Sequence, residues 1–194
     1  MFINWKKREL NLKIVYYGPA LSGKTTTLEH IYHTTQPQAR GELVTLKTRE
    51  DRTIFFDFLQ LKLGKINGLT PKFNLYTVPG QVCYAATRKL ALQGADGVVF
   101  VADSQMQRLA DNIQSYRMMH QQLQELGLDP HRVPCVAQYN KRDLTKIAPT
   151  SLLNRYFAAN GTPAFETVAT EGAGVLPSLK AAIGLVIART REQL

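Results

Sequence analysis

Gly18-Pro19-Ala20-Leu21-Ser22-Gly23-Lys24-Thr25 is a GxxxxGKT phosphate loop, and the residues on either side of it decide the fold. Ile14 to Tyr17 run into it as an apolar strand, and Thr26 to Tyr32 leave it as a helix. Gly18 and Gly23 let the backbone turn tightly, so that the N–H groups from Ala20 to Thr26 can face phosphate oxygens while the helix adds its positive end. Lys24 then reaches the β- and γ-phosphates, and the Thr25 hydroxyl faces Mg²⁺. These residue types at this spacing imply a nucleoside triphosphate.

Outward from the loop, strands alternate with helices. Leu10 to Tyr17, Thr53 to Leu63, Lys72 to Thr77, Gly97 to Ala102 and Val133 to Tyr139 read as strands. Lys24 to His33, Arg108 to Leu126, Ser151 to Ala159 and Pro177 to Thr190 read as helices. This order predicts an α/β fold, a doubly wound and mostly parallel six-stranded sheet with helices on both faces. Ligands on such sheets bind at the carboxyl ends of the strands. One step breaks the alternation. Gly64-Lys-Ile-Asn67-Gly68 joins two strand-like runs with an Asn-Gly hairpin signal, which predicts one antiparallel edge strand.

The 194 residues, 44% of them hydrophobic, fit a single domain spanning 1–194 with a full core. No apolar run reaches the length of a membrane span, and the start of the chain, with Lys6, Lys7, Arg8 and Glu9 crowded there, lacks the apolar stretch expected of a signal peptide. Neither end carries a lipidation motif, so a cytoplasmic chain without an anchor is expected. Cys83 and Cys135 are far apart and read as reduced thiols. The net charge of +9 suggests an acidic partner, but Lys62, Lys65, Lys72, Arg88, Lys89, Arg117, Lys141, Arg142, Lys146 and Arg155 are scattered. No base-stacking platform accompanies them, and no nucleic acid is expected. His30, His33, His120 and His131 have no ligand spacing, and Tyr16, Tyr17, Phe55, Phe56 and Phe58 read as core.

Asn140-Lys141-Arg142-Asp143 follows the strand ending at Tyr139. A carboxylate there accepts from the ring N–H and the exocyclic amine of guanine, an arrangement adenine lacks, so Asp143 selects GTP over ATP. Sites built on such pairing discriminate by about 10⁴ or more. Lys141 is expected to lay its stem over the base, and Asn140 to tie this loop to the phosphate loop.

The stretches KIVYYGPALSGKTT, DRTIFFDFL, LYTVPGQVCY, ADGVVFVADSQ and QYNKRDL resemble the bacterial Ras-like GTPases of the MglA (gliding-motility and cell-polarity) family, from Phe2 to about Ile187. The resemblance implies a P-loop GTPase that cycles between GTP and GDP states with Mg²⁺. It also implies an activating partner of the roadblock type, an MglB-like homodimer, and polarity or motility effectors. A cytoplasmic monomer that can be recruited to a cell pole is expected. Arg49 to Phe55 resembles the first switch, in which Thr53 contacts Mg²⁺ and the γ-phosphate. Pro79-Gly80-Gln81 resembles the second, with Gln81 orienting the attacking water. Arg52 matches an arginine finger supplied in cis; read alone, it is a solvated arginine pairing with Glu50 or Asp51. Glu166-Thr-Val-Ala169-Thr170 resembles the last guanine loop, with the Ala169 N–H on the base oxygen. Lys24, Gln81 and Arg52 are thus the expected catalytic set.

Ras-like proteins carry Asp-x-x-Gly after the third strand, whereas this chain has Thr77-Val-Pro-Gly80. If the hairpin turns on Ile66-Asn67-Gly68, facing residues have numbers that sum to 134, and Asp57 lies across from Thr77. Asp57 can then replace the missing carboxylate at the metal; a slip of one residue would instead turn it to the other face. A non-catalytic GTP-dependent scaffold is the alternative to a GTP-hydrolysing switch. An ATP-dependent kinase or ATPase is disfavoured by Asp143.

Overall fold

The computed structural model describes residues 1–47, 53–65, 68–80 and 84–193. Its sheet is built on β2 (Glu9–Tyr17), whose burial changes along its length. Leu10, Leu12 and Ile14 are buried while Asn11 and Lys13 are half-buried, and from Ile14 onward every residue is buried. The change begins where β6 (Gly97–Asp103) joins, at Ile14 opposite Gly97. A parallel strand covered on both faces has no use for alternation, and β6 is buried throughout.

The remaining strands are β1 (Phe2–Asn4), β3 (Val44–Lys47), β4 (Thr53–Lys62), β5 (Thr70–Thr77), β7 (Cys135–Asn140) and β8 (Ala164–Glu166). Their order is β3-β4-β5-β2-β6-β7-β8, with β1 paired to the start of β2. The predicted mostly parallel sheet is present, but with eight strands among the described residues rather than six. The antiparallel part is also larger than one edge strand. β4 pairs antiparallel with both β3 and β5, β3 takes the edge, and β1 adds an antiparallel pair of its own. β1, β3 and β8 have three or four residues each, too few to show a period. The hairpin register is the predicted one, from Phe58 opposite Tyr76 to Lys62 opposite Lys72. Its expected turn residues Ile66 and Asn67 lie outside the described residues.

The helices are α1 (Lys24–Thr34), α2 (Ala85–Leu92), α3 (Leu109–Glu125), α4 (Thr150–Phe157) and α5 (Val175–Gln193). α5 opens two residues before Pro177, which sits in a first turn whose N–H groups have no helical partner in any case. Ile14 and Tyr16 face a core made with Leu28 and Ile31 of α1 and Leu179 and Val186 of α5. Val15 and Tyr17 face a second core made with Leu92 of α2, Leu123 of α3, and Leu153 and Phe157 of α4. Among the described residues no helix is long and apolar enough to cross a membrane. α2 was not foreseen. Arg88, grouped above with the scattered cations of the chain, is 1% exposed, because it shares the inward stripe of α2 with Leu92 and lies by Met118 and the Tyr17 ring.

Phe157 anchors α4, with ring centroids 5.2 Å from Phe100 and 5.3 Å from Tyr116. Phe157→Ala should lower unfolding stability by about 3–5 kcal/mol in urea denaturation, the usual cost of emptying a packed aromatic site. A loss below about 1 kcal/mol would mean that α4 is held by other contacts.

Candidate functional site

The phosphate loop leaves the carboxyl end of β2 and enters α1 through Gly23, which has φ +97°. A Cβ at Gly23 would overlap the Asn140 side-chain amide, so the residue is required by both conformation and space. Lys24 is 6% exposed, and its ammonium donates to the carbonyls of Gly18 (3.0 Å) and Pro19 (2.7 Å). Burial pushes its pKa down to about 7, with Asp57 opposing and Arg88 adding to the shift. A phosphate placed before it would offset that desolvation and favour the charged form.

Below Thr25 lies Asp57, the side chain expected from the hairpin register to stand in for the missing third-strand carboxylate. Asp57 is fully buried, and its Oδ2 accepts from Thr25 Oγ1 at 2.6 Å and from Thr77 Oγ1 at 2.7 Å. The Asp57 N–H donates to Thr77 Oγ1 at 2.9 Å, which closes a ring between β4 and β5. Asp57 Oδ1 is buried with no hydrogen-bond partner. A hydroxyl beside a carboxylate with one oxygen still unmatched fits a hard cation or its bound water. No cluster of three His, Cys, Asp or Glu side chains exists among the described residues, so a metal here would draw its other oxygens from phosphate and water. Thr53 opens β4, and its side chain lies outside the described part.

At the other end of the cleft, Asn140 closes β7 and is 2% exposed. Its Nδ2 donates to the Ser22 carbonyl at 2.8 Å, and its Oδ1 accepts from the Ala169 N–H at 2.9 Å and from Thr167 Oγ1 at 3.2 Å. The Ala169 N–H, expected above to face a base oxygen, donates to Asn140 in this structure. Lys141 has φ +66°, and its ammonium pairs with the buried Asp103 at 2.6 Å. Asp143 and Thr170 are exposed at the rim. A single cleft of about 670 Å³ is lined by Ala20, Leu21, Gly23, Lys24, Thr25 and Thr26 at one end and by Asn140, Lys141, Asp143, Ala169 and Thr170 at the other. Gly80 lines it too, and a Cβ there would overlap the Ala20 backbone. Gly18 and Ser22 do not line it, since Ser22 is fully buried beneath the loop.

The chain is 48% identical over 191 residues, 98% of its own length and 98% of the relative's, to the mutual gliding-motility protein MglA of Myxococcus xanthus (strain DK1622). The chain belongs to the MglA family. No protein-family model matches it. As an MglA-family member it is a Ras-like small GTPase that binds guanine nucleotide. Arg52, Gln81 and Cys83, in or beside the two switches expected from the resemblance, lie outside the described residues. Cys135 is a free thiol whose pKa burial pushes up to about 12.

Three members of this MglA-type site were not named from sequence. Asp103 holds the head of Lys141 and is itself bracketed by Asn112, whose side chain bonds both its N–H (2.9 Å) and its carbonyl (2.8 Å). Arg108 donates to the Ala20 carbonyl at 3.0 Å and pairs with Asp111. Gln138, fully buried in β7, donates at 3.2 Å to both Thr27 of α1 and Thr167. Asp103 lay within a stretch that carried the resemblance; nothing local marks Arg108, whose partner is 88 residues away.

Proposed function

We propose that this chain is a GTP-hydrolysing molecular switch that helps control cell polarity and surface motility, with a roadblock-type homodimer as its activator. The observation that supports it best is that one cleft is lined jointly by the phosphate loop and by Asn140 to Asp143, so a ligand must carry both an anion and a base-like edge. Lys24 and the N–H groups of the phosphate loop hold the phosphates. Asp143 accepts from guanine, with Lys141 oriented over the base by Asp103. Thr25 and Thr53, with Asp57 behind them, would hold Mg²⁺. That ion supplies charge neutralisation at the β- and γ-phosphate oxygens.

In this reading Gln81 aligns the attacking water, and Arg52, from the same chain, neutralises charge on the transferring phosphoryl group. A partner then accelerates hydrolysis by positioning these two residues. The reading is tested first by nucleotide choice. GDP should be retained against a hundredfold excess of ATP, and Asp143→Asn should weaken guanine and favour xanthine nucleotides, because the amide offers a donor where guanine also offers donors. Unchanged GTP affinity in that variant would remove the basis of the guanine assignment.

Asp57→Asn should raise the Mg²⁺ concentration needed to retain GDP about tenfold, a usual effect of losing a group behind the metal ligands. Thr77→Ala should raise it less, since Thr77 only bonds the carboxylate. Equal or reversed effects in a Mg²⁺ titration would exclude Asp57 as the replacement carboxylate.

Gln81→Leu and Arg52→Ala should each leave GTP affinity within a few-fold and lower the activated single-turnover rate by ~10³ or more. The measurement is GTP consumption with and without a roadblock dimer, repeated with arginine variants of that dimer. A partner arginine worth ~10³, with Arg52→Ala nearly silent, would overturn the cis-arginine mechanism. No hydrolysis under any of these conditions would favour the scaffold.

A further inference from the structure

The end of the sheet opposite the nucleotide cleft carries a feature that the GTPase reading does not use. Between β1 and β2 the chain makes a tight turn, Trp5-Lys6-Lys7-Arg8, and all four residues are exposed. Trp5, the one tryptophan of the sequence, is 72% exposed, and Phe2, at the other end of β1, is 65% exposed. An indole left in water costs free energy unless something covers it.

The turn is held in place rather than free. The Arg8 N–H donates to the Trp5 carbonyl (3.3 Å), the Lys7 N–H to Asn4 Oδ1 (3.1 Å), and the Thr70 N–H to the Arg8 carbonyl (2.8 Å). Arg8 sits at φ +51°, in the left-handed region. Little ordering entropy remains to be lost when this turn meets a partner. Among the described residues, Lys6, Lys7 and Arg8 form no salt bridge. Glu9 is the one acid between Phe2 and Lys13. It is taken by Lys72 at 2.8 Å, and that bond with the Lys72 charge, followed by the charges of Lys7 and Lys62, holds its carboxyl below the usual range.

We propose that the Trp5–Arg8 turn docks the protein on an anionic lipid bilayer, with Trp5 entering the headgroup boundary and Lys6, Lys7, Arg8 and Lys62 facing lipid phosphates. An amphipathic ring flanked by cations on a projecting turn is the chemistry of a membrane interface. A single-stranded nucleic acid would need a groove with successive aromatic rings, and a lone projecting indole is not one. β2 separates this turn from the phosphate loop by nine residues, about 26 Å of strand. A docked molecule therefore keeps its nucleotide cleft turned away from the lipid.

The test uses full-length protein loaded with GDP. Vesicles of phosphatidylcholine with one-third phosphatidylglycerol should bind it, shift Trp5 emission to the blue and allow quenching by brominated acyl chains. Pure phosphatidylcholine should do none of these. A K6E/K7E/R8E variant should partition about 100-fold less, roughly fivefold per cation, with GDP affinity within twofold of the parent. Trp5→Ser should bind several-fold more weakly and keep its salt dependence. Binding to anionic vesicles with unshifted, unquenched Trp5 emission would overturn the proposal. So would equal binding to neutral vesicles, an undiminished charge-reversed variant, or tighter binding to a single-stranded oligonucleotide than to anionic vesicles. The quenching of the parent protein decides the matter even if a variant folds poorly.

Discussion

The side-chain amide of Asn140 is the joint on which the nucleotide cleft depends. Buried at the end of β7, it must satisfy both of its ends, and it does so by donating to the phosphate loop at Ser22 and accepting from Ala169 and Thr167. Three loops far apart in the chain are thereby fixed at one point. Gly23 is constrained by the same contact, since any side chain there would occupy the place of the amide. Gln138, two residues back on the same strand, repeats the arrangement one layer deeper by linking Thr27 with Thr167. The described walls of the cleft are thus tied together by bonds within the chain itself, which limits the ordering that binding must supply.

At the phosphate end the governing constraint is electrostatic. Lys24 is held in a buried position where its charge is disfavoured, with Asp57 the nearest compensation. Asp57 has two hydroxyl donors on one oxygen and none on the other. Neither group is fully satisfied by the described residues. A phosphate beside Lys24 and a hydrated cation beside Asp57 would satisfy both, so the residual cost in the free protein favours the ligands that remove it. Arg108 contributes differently, by donating to the Ala20 carbonyl and so bracing the middle of the loop, while Lys24 holds the carbonyls of Gly18 and Pro19.

What the sequence by itself determined were the features set by local rules. The phosphate loop, the strand before it and the helix after it follow from glycine spacing and hydrophobic period, and the hairpin register followed from the turn between β4 and β5. That register carried Asp57 to Thr77, so a buried contact was legible because a ladder converts sequence position directly into spatial position. Only the tertiary structure decided the rest. The three- and four-residue strands β1, β3 and β8 show no period of their own and exist because a neighbour offers unpaired backbone groups. Arg88 lies in the core because the partners of α2 come from β2 and α3. The Ala169 N–H went to Asn140, 29 residues away, and Lys141 to Asp103, 38 away. These are choices among competing acceptors, and which acceptor is nearest is a property of the folded chain, not of any stretch within it.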